Sequence, residues 1–183
     1  MSFRKVDERR VYDGSFVHVV EATFEGPSGD RFTREVVRHR GAVAVVALTP
    51  DGRRAVLVSQ YRPAIEEVLL EIPAGMCDVD GEALEDTARR ELEEEAGLRA
   101  VGPLEHLTTY AVAVGMTDET LAIYLCRTSE PCPARPQSAE EEHMEIVEVA
   151  LDDVPALIAS GRVRDGKTII GLLLARDRVS SAP

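Results

Sequence analysis

The chain has no tryptophan and only four phenylalanines and four tyrosines, so a ligand that needs an aromatic face has few places to lie. Its three cysteines, Cys77, Cys126 and Cys132, are odd in number and form no C-x-x-C pair. Neither a disulfide framework nor a zinc site is suggested, and reduced thiols are expected. Long hydrophobic runs are missing too: Gly41 to Leu48 and Ile169 to Ala175 fall far short of the ~20 residues a membrane helix needs. The start, Met1 to Arg10, is charged rather than a signal peptide, and a cytoplasmic protein is expected. Positive charge is scarce, with 21 Lys and Arg against 33 Asp and Glu, a net of -12. That balance argues against unspecific binding to nucleic acid or an anionic membrane, where clustered cations hold the phosphates. If the substrate is itself anionic, arginines or a divalent metal must receive it.

What is present fits one globular domain: 183 residues, 44% hydrophobic and 30% charged, can bury a real core. Two β-rich stretches, Ser15 to Phe24 and Arg31 to Val37, flank Gly26-Pro27-Ser28-Gly29-Asp30 as a hairpin. Ala42 to Leu48 and Ala55 to Tyr61 are expected to pair across Thr49-Pro50-Asp51-Gly52. Glu82 to Ala96 carries helix formers throughout and is stopped by Gly97. Strands are expected again at Leu107 to Val112, Thr120 to Cys126 and Met144 to Ala150, with Pro131 to Ser138 as a loop ending in Glu140-Glu141-Glu142. Asp152 or Asp153 can cap a short helix with Pro155 in its first turn, and Lys167 to Arg176 forms the last helix. There is no repeat and no low-complexity tract. Strands interleaved with about three helices, without strict βαβ alternation, predict an α+β sandwich with a mixed sheet.

Chemistry concentrates in the predicted helix over Glu82 to Ala96. At about 100° per residue, Glu91, Glu94 and Glu95 share one face, while Glu93 points elsewhere. Stacked like charges cost a few tenths of a kcal/mol per pair on a bare helix, and a hard cation among the oxygens reverses that sign. Carboxylate oxygens suit Mg²⁺ or Mn²⁺. Ala88, Leu92 and Ala96 form a separate apolar stripe that can pack on a sheet and leave the acidic face to a cleft.

Glu82, Arg90, Glu91, Leu92, Glu94, Glu95, Gly97 and Leu98 match in spacing the Nudix box, which this stretch resembles; the departure is that six residues rather than five separate Gly75 from Glu82, read as a longer loop. Arg34-Glu35-Val36-Val37, His39-Arg40-Gly41-Ala42-Val43, Ser59-Gln60-Tyr61-Arg62-Pro63, Leu70-Glu71-Ile72-Pro73-Ala74-Gly75 and Gly115-Met116-Thr117-Asp118-Glu119 are similar to segments of the ADP-ribose pyrophosphatase branch. The resemblance implies a Nudix α/β/α sandwich over 41–183 preceded by an N-terminal β-region over 1–40 that exchanges across a homodimer. It implies Mg²⁺-dependent hydrolysis of a nucleoside diphosphate derivative, ADP-ribose first, to AMP and ribose 5-phosphate. That branch often carries a proline about fifteen residues after the box, whereas Tyr110 to Gly115 has none, which leaves other nucleotide sugars open.

On this reading Glu91 and Glu95 are the first metal ligands, with Glu94 and the backbone of Ala74 next and Glu82 as ligand or support. Arg90 braces the loop before the helix against the acidic face; a plain intrahelical pair with Glu94 is the alternative. Glu142 and Glu140 are the candidates for the base that orients water, and Glu141 ranks behind them because neighbours in an extended loop face opposite ways. Arg62 fits a bidentate phosphate contact, Arg34 a contact across the dimer, and Phe16 a stacking face for adenine or a plain core residue. Glu71 completes the substrate-binding candidates. A Nudix-fold binding module without catalysis is the competing class, and it would be expected to have lost box carboxylates that are all present here.

Overall fold

The computed structural model describes residues 2–136 and 138–181. The chain divides into two compact units, Met1–Gly41 with Tyr110–Thr120, and Ala42–Thr109 with Leu121–Pro183.

The first unit is built on a three-stranded antiparallel meander of β1 (Arg4–Asp13), β2 (His18–Glu25) and β3 (Arg31–Arg38). The predicted hairpin between β2 and β3 is there, closed by the Gly26 N–H on the Asp30 carbonyl at 2.9 Å, with Gly29 at φ 84° where a side chain would be strained. β1 was not expected. Its residues are almost all exposed, so no alternation of apolar and polar residues announces it. Charge does part of the pairing: Arg4 meets Glu25 at 2.7 Å and Arg9 meets Glu21 at 2.8 Å, each pair directly opposed across β1 and β2. Exposed cross-strand pairs of this kind contribute about 0.2–1 kcal/mol each.

The second unit carries a mixed sheet of order β10-β5-β4-β9-β8. Its strands are β4 (Ala42–Leu48), β5 (Arg54–Arg62), β8 (Leu98–Ala111), β9 (Thr120–Pro131) and β10 (Glu145–Ala150), with the short β6 (Glu67–Glu71) on β5 and β7 (Ala74–Met76) on β4. β4 runs parallel to β9 and antiparallel to β5 and β7. Its last six residues are buried, as expected of a strand covered on both faces. On one face, Val43, Val45 and Ala47 pack with Ala88, Leu92 and Ala96 of α1 (Leu84–Ala96). On the other, α3 (Gly166–Ser180) comes so close that a Cβ on Gly171 would meet Val46 Cγ2 at 2.9 Å and Ile72 Cδ1 at 3.0 Å. The expected α/β/α layering and mixed sheet are therefore present, and α2 (Val154–Ala159) holds Pro155 in its first turn as predicted.

Two features of this unit place the site. β4 changes partner along its length, pairing with β7 at Ala42–Ala44 and with β5 only at Ala47 and Leu48. The splay sets Ala74 and Gly75 against α1. The helix itself ends at Gly97, in the left-handed conformation at φ 61°. A Cβ there would lie 2.7 Å from the Cys132 carbonyl, because the segment after β9 crosses the helix end. That segment bonds to it twice, Cys132 N–H to the Gly97 carbonyl at 2.7 Å and Arg135 N–H to the Glu94 carbonyl at 2.9 Å. Among the described residues no helix is long and apolar enough to cross a membrane.

Candidate metal and catalytic site

α1 presents its glutamates at the end of the helix where the backbone dipole is negative, and its last turn holds no basic residue. Each carboxylate there is disfavoured by several tenths of a kcal/mol, so neither stability nor capping accounts for Glu93, Glu94 and Glu95 in succession. Burial sharpens the cost. The carboxyl of Glu91 is pushed up to about 7 by burial, with Glu94 and Asp78 adding to the rise against the pull of Arg90. Glu95 is likewise pushed up to about 7, by burial and by the charges of Glu91 and Glu141, against the Ala74 N–H and Arg62. Two such carboxyls one helical turn apart are short of positive charge.

The backbone of β7 is shaped around them. The N–H of Ala74 donates to Glu95 Oε2 at 2.9 Å, which leaves only the carbonyl of Ala74 to serve as a ligand. Gly75 lies so near that a Cβ on it would sit 2.0 Å from the Glu91 carboxyl carbon. Any side chain at that position would drive Glu91 out of its place.

Arg90 performs the bracing read from the sequence and also makes the intrahelical pair. Its Nη1 donates to Glu91 at 2.6 Å and to Glu94 at 3.1 Å, while Nη2 reaches Asp78 at 2.9 Å and Glu82 at 3.2 Å. Glu82 is tied to the helix a second time by the Thr87 hydroxyl at 2.8 Å. These bonds hold its pKa below the usual carboxylate range, Arg90 first and Thr87 next. The loop with its extra residue is thus pinned at both Asp78 and Glu82.

Among the described residues no three acidic, His or Cys side chains already converge as a metal cage. The Arg90 guanidinium bonds both Glu91 and Glu94. The donors nonetheless suit a hard divalent cation, being carboxylate oxygens, with neighbouring carboxylate charges that raise the pKa at Glu91 and Glu95.

The acidic loop departs from expectation. Glu141–His143 forms a 3₁₀ turn, not an extended loop, so the alternation that ranked Glu141 last does not apply. The charge of Glu141 helps to raise the pKa of Glu95, and its Oε1 accepts from the Ser138 hydroxyl at 3.0 Å. Glu142 is exposed, and Glu140 lines a cavity of about 510 Å³ with Ser59, Tyr61, Val68 and His143.

Arg62 stands close enough to Glu95 for each to feel the other's charge. Glu71 requires a correction. It is 1% exposed, and its oxygens are taken by Arg62 Nε and Nη2 at 2.7 Å each and by Lys167. It cannot meet a substrate directly; it holds Arg62. Lys167 was missed, since nothing local in the sequence links it to a glutamate 96 positions away. Phe16 is 63% exposed rather than core. Arg34, in the same unit, lies over the Phe32 ring at 4.9 Å, and Phe32 stacks on Phe24, an aromatic pair the sequence reading did not single out.

Comparison with known proteins bears on the acidic helix directly: the NUDIX domain model matches residues 38–170. The chain belongs to the Nudix family. It is 34% identical over 165 residues to the ADP-ribose pyrophosphatase of Bacillus subtilis (strain 168), covering 90% of this chain and 88% of that one. It is 34% identical over 169 residues to the methanol dehydrogenase activator of Bacillus methanolicus, covering 92% and 90%. Among solved structures, an ADP compounds hydrolase superposes with a TM-score of 0.84 over 98% of this chain and 95% of that one, at 20% identity. That likeness shows the fold. The resemblance read from the box, the α+β Nudix fold and the reading of the chain as a Nudix hydrolase all stand.

Proposed function

We propose that this Nudix pyrophosphohydrolase cleaves the pyrophosphate bond of a nucleoside diphosphate derivative, with ADP-ribose as the first substrate and AMP and ribose 5-phosphate as products. The observation that carries the reading is the pair Glu91 and Glu95, two half-buried carboxyls one helical turn apart whose proton affinity is raised by neighbouring carboxylates, with Arg62 near Glu95. The B. subtilis relative, an ADP-ribose pyrophosphatase, supports the choice of substrate. Another nucleotide sugar is the second reading, favoured by the stretch Tyr110 to Gly115, which lacks the proline expected of the ADP-ribose branch.

In this scheme Glu91 and Glu95, then Glu94 and the Ala74 carbonyl, hold Mg²⁺ or Mn²⁺, and Glu82 supports them from the pinned loop. When bound, such an ion neutralises the bridging phosphates and lowers the pKa of a water. Arg90 keeps the loop and the acidic face in register. Arg62 receives a phosphate oxygen through a guanidinium whose plane is already set by Glu71. The 3₁₀ turn supplies the carboxylate that orients the attacking water: Glu142 and Glu140 remain candidates, and Glu141 joins them through its action on Glu95. Arg34 and Phe16 are proposed for the nucleoside, within a homodimer in which residues from about Ser15 to Val37 of one chain complete the partner's pocket. Exposed Phe3, Tyr12, Phe16 and Val17 in the first unit favour a covered face there.

The deciding experiment offers ADP-ribose, other nucleotide sugars, dinucleoside polyphosphates and NADH to the full chain with Mg²⁺ and assays nucleotide release, with chelator as control. Turnover that survives removal of all divalent metal ends the proposal. A fully active monomer in sedimentation at micromolar concentration ends the exchange.

A further inference from the structure

The acidic face has a counterpart in the same unit where cations outnumber the carboxylate they share. Glu71, at the end of β6, has a side chain only 2% exposed. Arg62, at the end of β5, grips it with two bonds of 2.7 Å. Lys167, in the first turn of α3, bonds Glu71 Oε2 as well and reaches Asp165 Oδ2 at 3.2 Å. Lys167 is itself only 10% exposed. Of the 21 basic residues in the chain, Lys5 and Lys167 alone are lysines, and a compact ammonium is what a closed space beside an already bidentate arginine can admit.

The place of Lys167 is fixed from the backbone upward. Asp165 caps α3 through the Thr168 N–H at 3.0 Å and accepts the Thr168 hydroxyl at 2.6 Å. The same hydroxyl accepts the N–H of Ile72 at 2.9 Å. The first turn of α3 is thereby stitched to the residue next to Glu71, and Gly171 lets the helix come down onto Ile72. Arg62 spends Nε and Nη2 on Glu71; among the described residues Nη1 bonds no protein atom, and the side chain is 40% exposed.

We propose that Lys167 is a positioning residue for Arg62: bound to the same Glu71 carboxylate and held in turn by Asp165, it fixes that carboxylate and so keeps the guanidinium in one orientation, with Nη1 open to the substrate's phosphate. A carboxylate paired with arginine alone would form a neutral unit. Lys167, itself balanced by Asp165 at 3.2 Å, leaves the four groups neutral together and adds a second anchor to the carboxylate, so that Glu71 does not swing with the guanidinium. The inference rests on the reading of Arg62 as a phosphate contact, stated above.

The test is a double-mutant cycle in the full chain, with kcat and KM measured in Mg²⁺ on the best-hydrolysed nucleoside diphosphate derivative. Lys167→Met is expected to lower kcat/KM about tenfold or more, and to change it less than about twofold once Arg62 is already Ala. A second readout needs no turnover: the Arg62 Nε–H resonance, sharp and slow to exchange in the parent protein, should broaden in Lys167→Met. If that variant fails to fold, Lys167→Gln removes the charge at similar length. An equal loss of kcat/KM in both backgrounds, or an unchanged Nε–H resonance, overturns the inference alone and leaves Lys167 a structural residue. An Arg62→Ala protein with undiminished kcat/KM overturns the phosphate reading and this inference with it.

Discussion

Two buried groups of charge within one unit have opposite balances. Towards the end of α1, Arg90 at Glu91 and Arg62 near Glu95 do not offset burial and the neighbouring carboxylates, and both carboxyls are pushed up to about 7. At Glu71, burial also works to raise the pKa, but the hydrogen bond from Arg62 and the charge of Lys167 outweigh it and the net shift is downward. Desolvation is common to both places; the partners decide the sign. The group that is finished within the chain holds something in place. The group left unfinished awaits something from outside, and the largest losses should follow from disturbing it.

Glu95→Gln should lower kcat about a thousandfold, about 4 kcal/mol of barrier, while circular dichroism and the thermal midpoint show an intact fold that is no less stable at pH 8. Wild-type turnover in this variant would remove Glu95 from the site. Glu71→Gln breaks the finished group instead, leaving Arg62 without its anchor and Lys167 with Asp165 alone, and should cost about 1–3 kcal/mol in denaturant unfolding. Activity should fall with it, since Arg62 loses its anchor.

A smaller and more diagnostic effect is that of pH. The carboxyls of Glu91 and Glu95 have folded pKa values above the ordinary 4.5, so their contribution is fully present below pH 4.5 and is lost as pH rises through about 7. Glu71 behaves in the opposite way: its contribution is present above pH 4.5 and is lost as pH falls through its lowered folded value. Metal-free protein should therefore lose stability between pH 5 and pH 8, and Mg²⁺ should raise the thermal midpoint more at pH 8 than at pH 5.5. An equal rise at both would separate the metal from these two residues. The smallest effect is expected at Glu93, which turns from the acidic face to a half-exposed pair with Arg99 at 3.6 Å. Glu93→Gln should stay within about 0.5 kcal/mol in stability and keep wild-type kcat/KM.

The comparison also separates what was legible in the sequence from what was not. The acidic face was legible because a helix turns spacing into geometry: Glu91, Glu94 and Glu95 share a side by arithmetic, and Gly97 announces the end. The second group has no such arithmetic. Arg62, Glu71 and Lys167 come from a strand, a second strand and a helix, and nothing in their spacing says that they meet; the sequence offers Arg62 and Glu71 as substrate contacts and does not single out Lys167. The 3₁₀ turn at Glu141 was hidden for a different reason, since three glutamates in a row show no period that tells a turn from an extended loop. β1 was hidden because both of its faces are wet. β8 begins well before, and β9 ends well after, the bounds expected for them, because Gly102 and Pro103 in the one and the polar end of the other interrupt any strand pattern in the sequence.

The segment Cys132 to Arg135 joins the end of α1 through its own N–H groups to the carbonyls of Gly97 and Glu94. Such an attachment is indifferent to side chains, proline at a donor position excepted. The loop can therefore change nearly all its residues over evolutionary time, and gain or lose several beyond Arg135, without lifting off the helix that carries the acidic face. An acidic residue of the 3₁₀ turn can thus move from one position to another while the helix glutamates keep theirs. The same freedom makes the residues from 138 to 144 the place to begin when a library is designed to alter which bond this enzyme cuts.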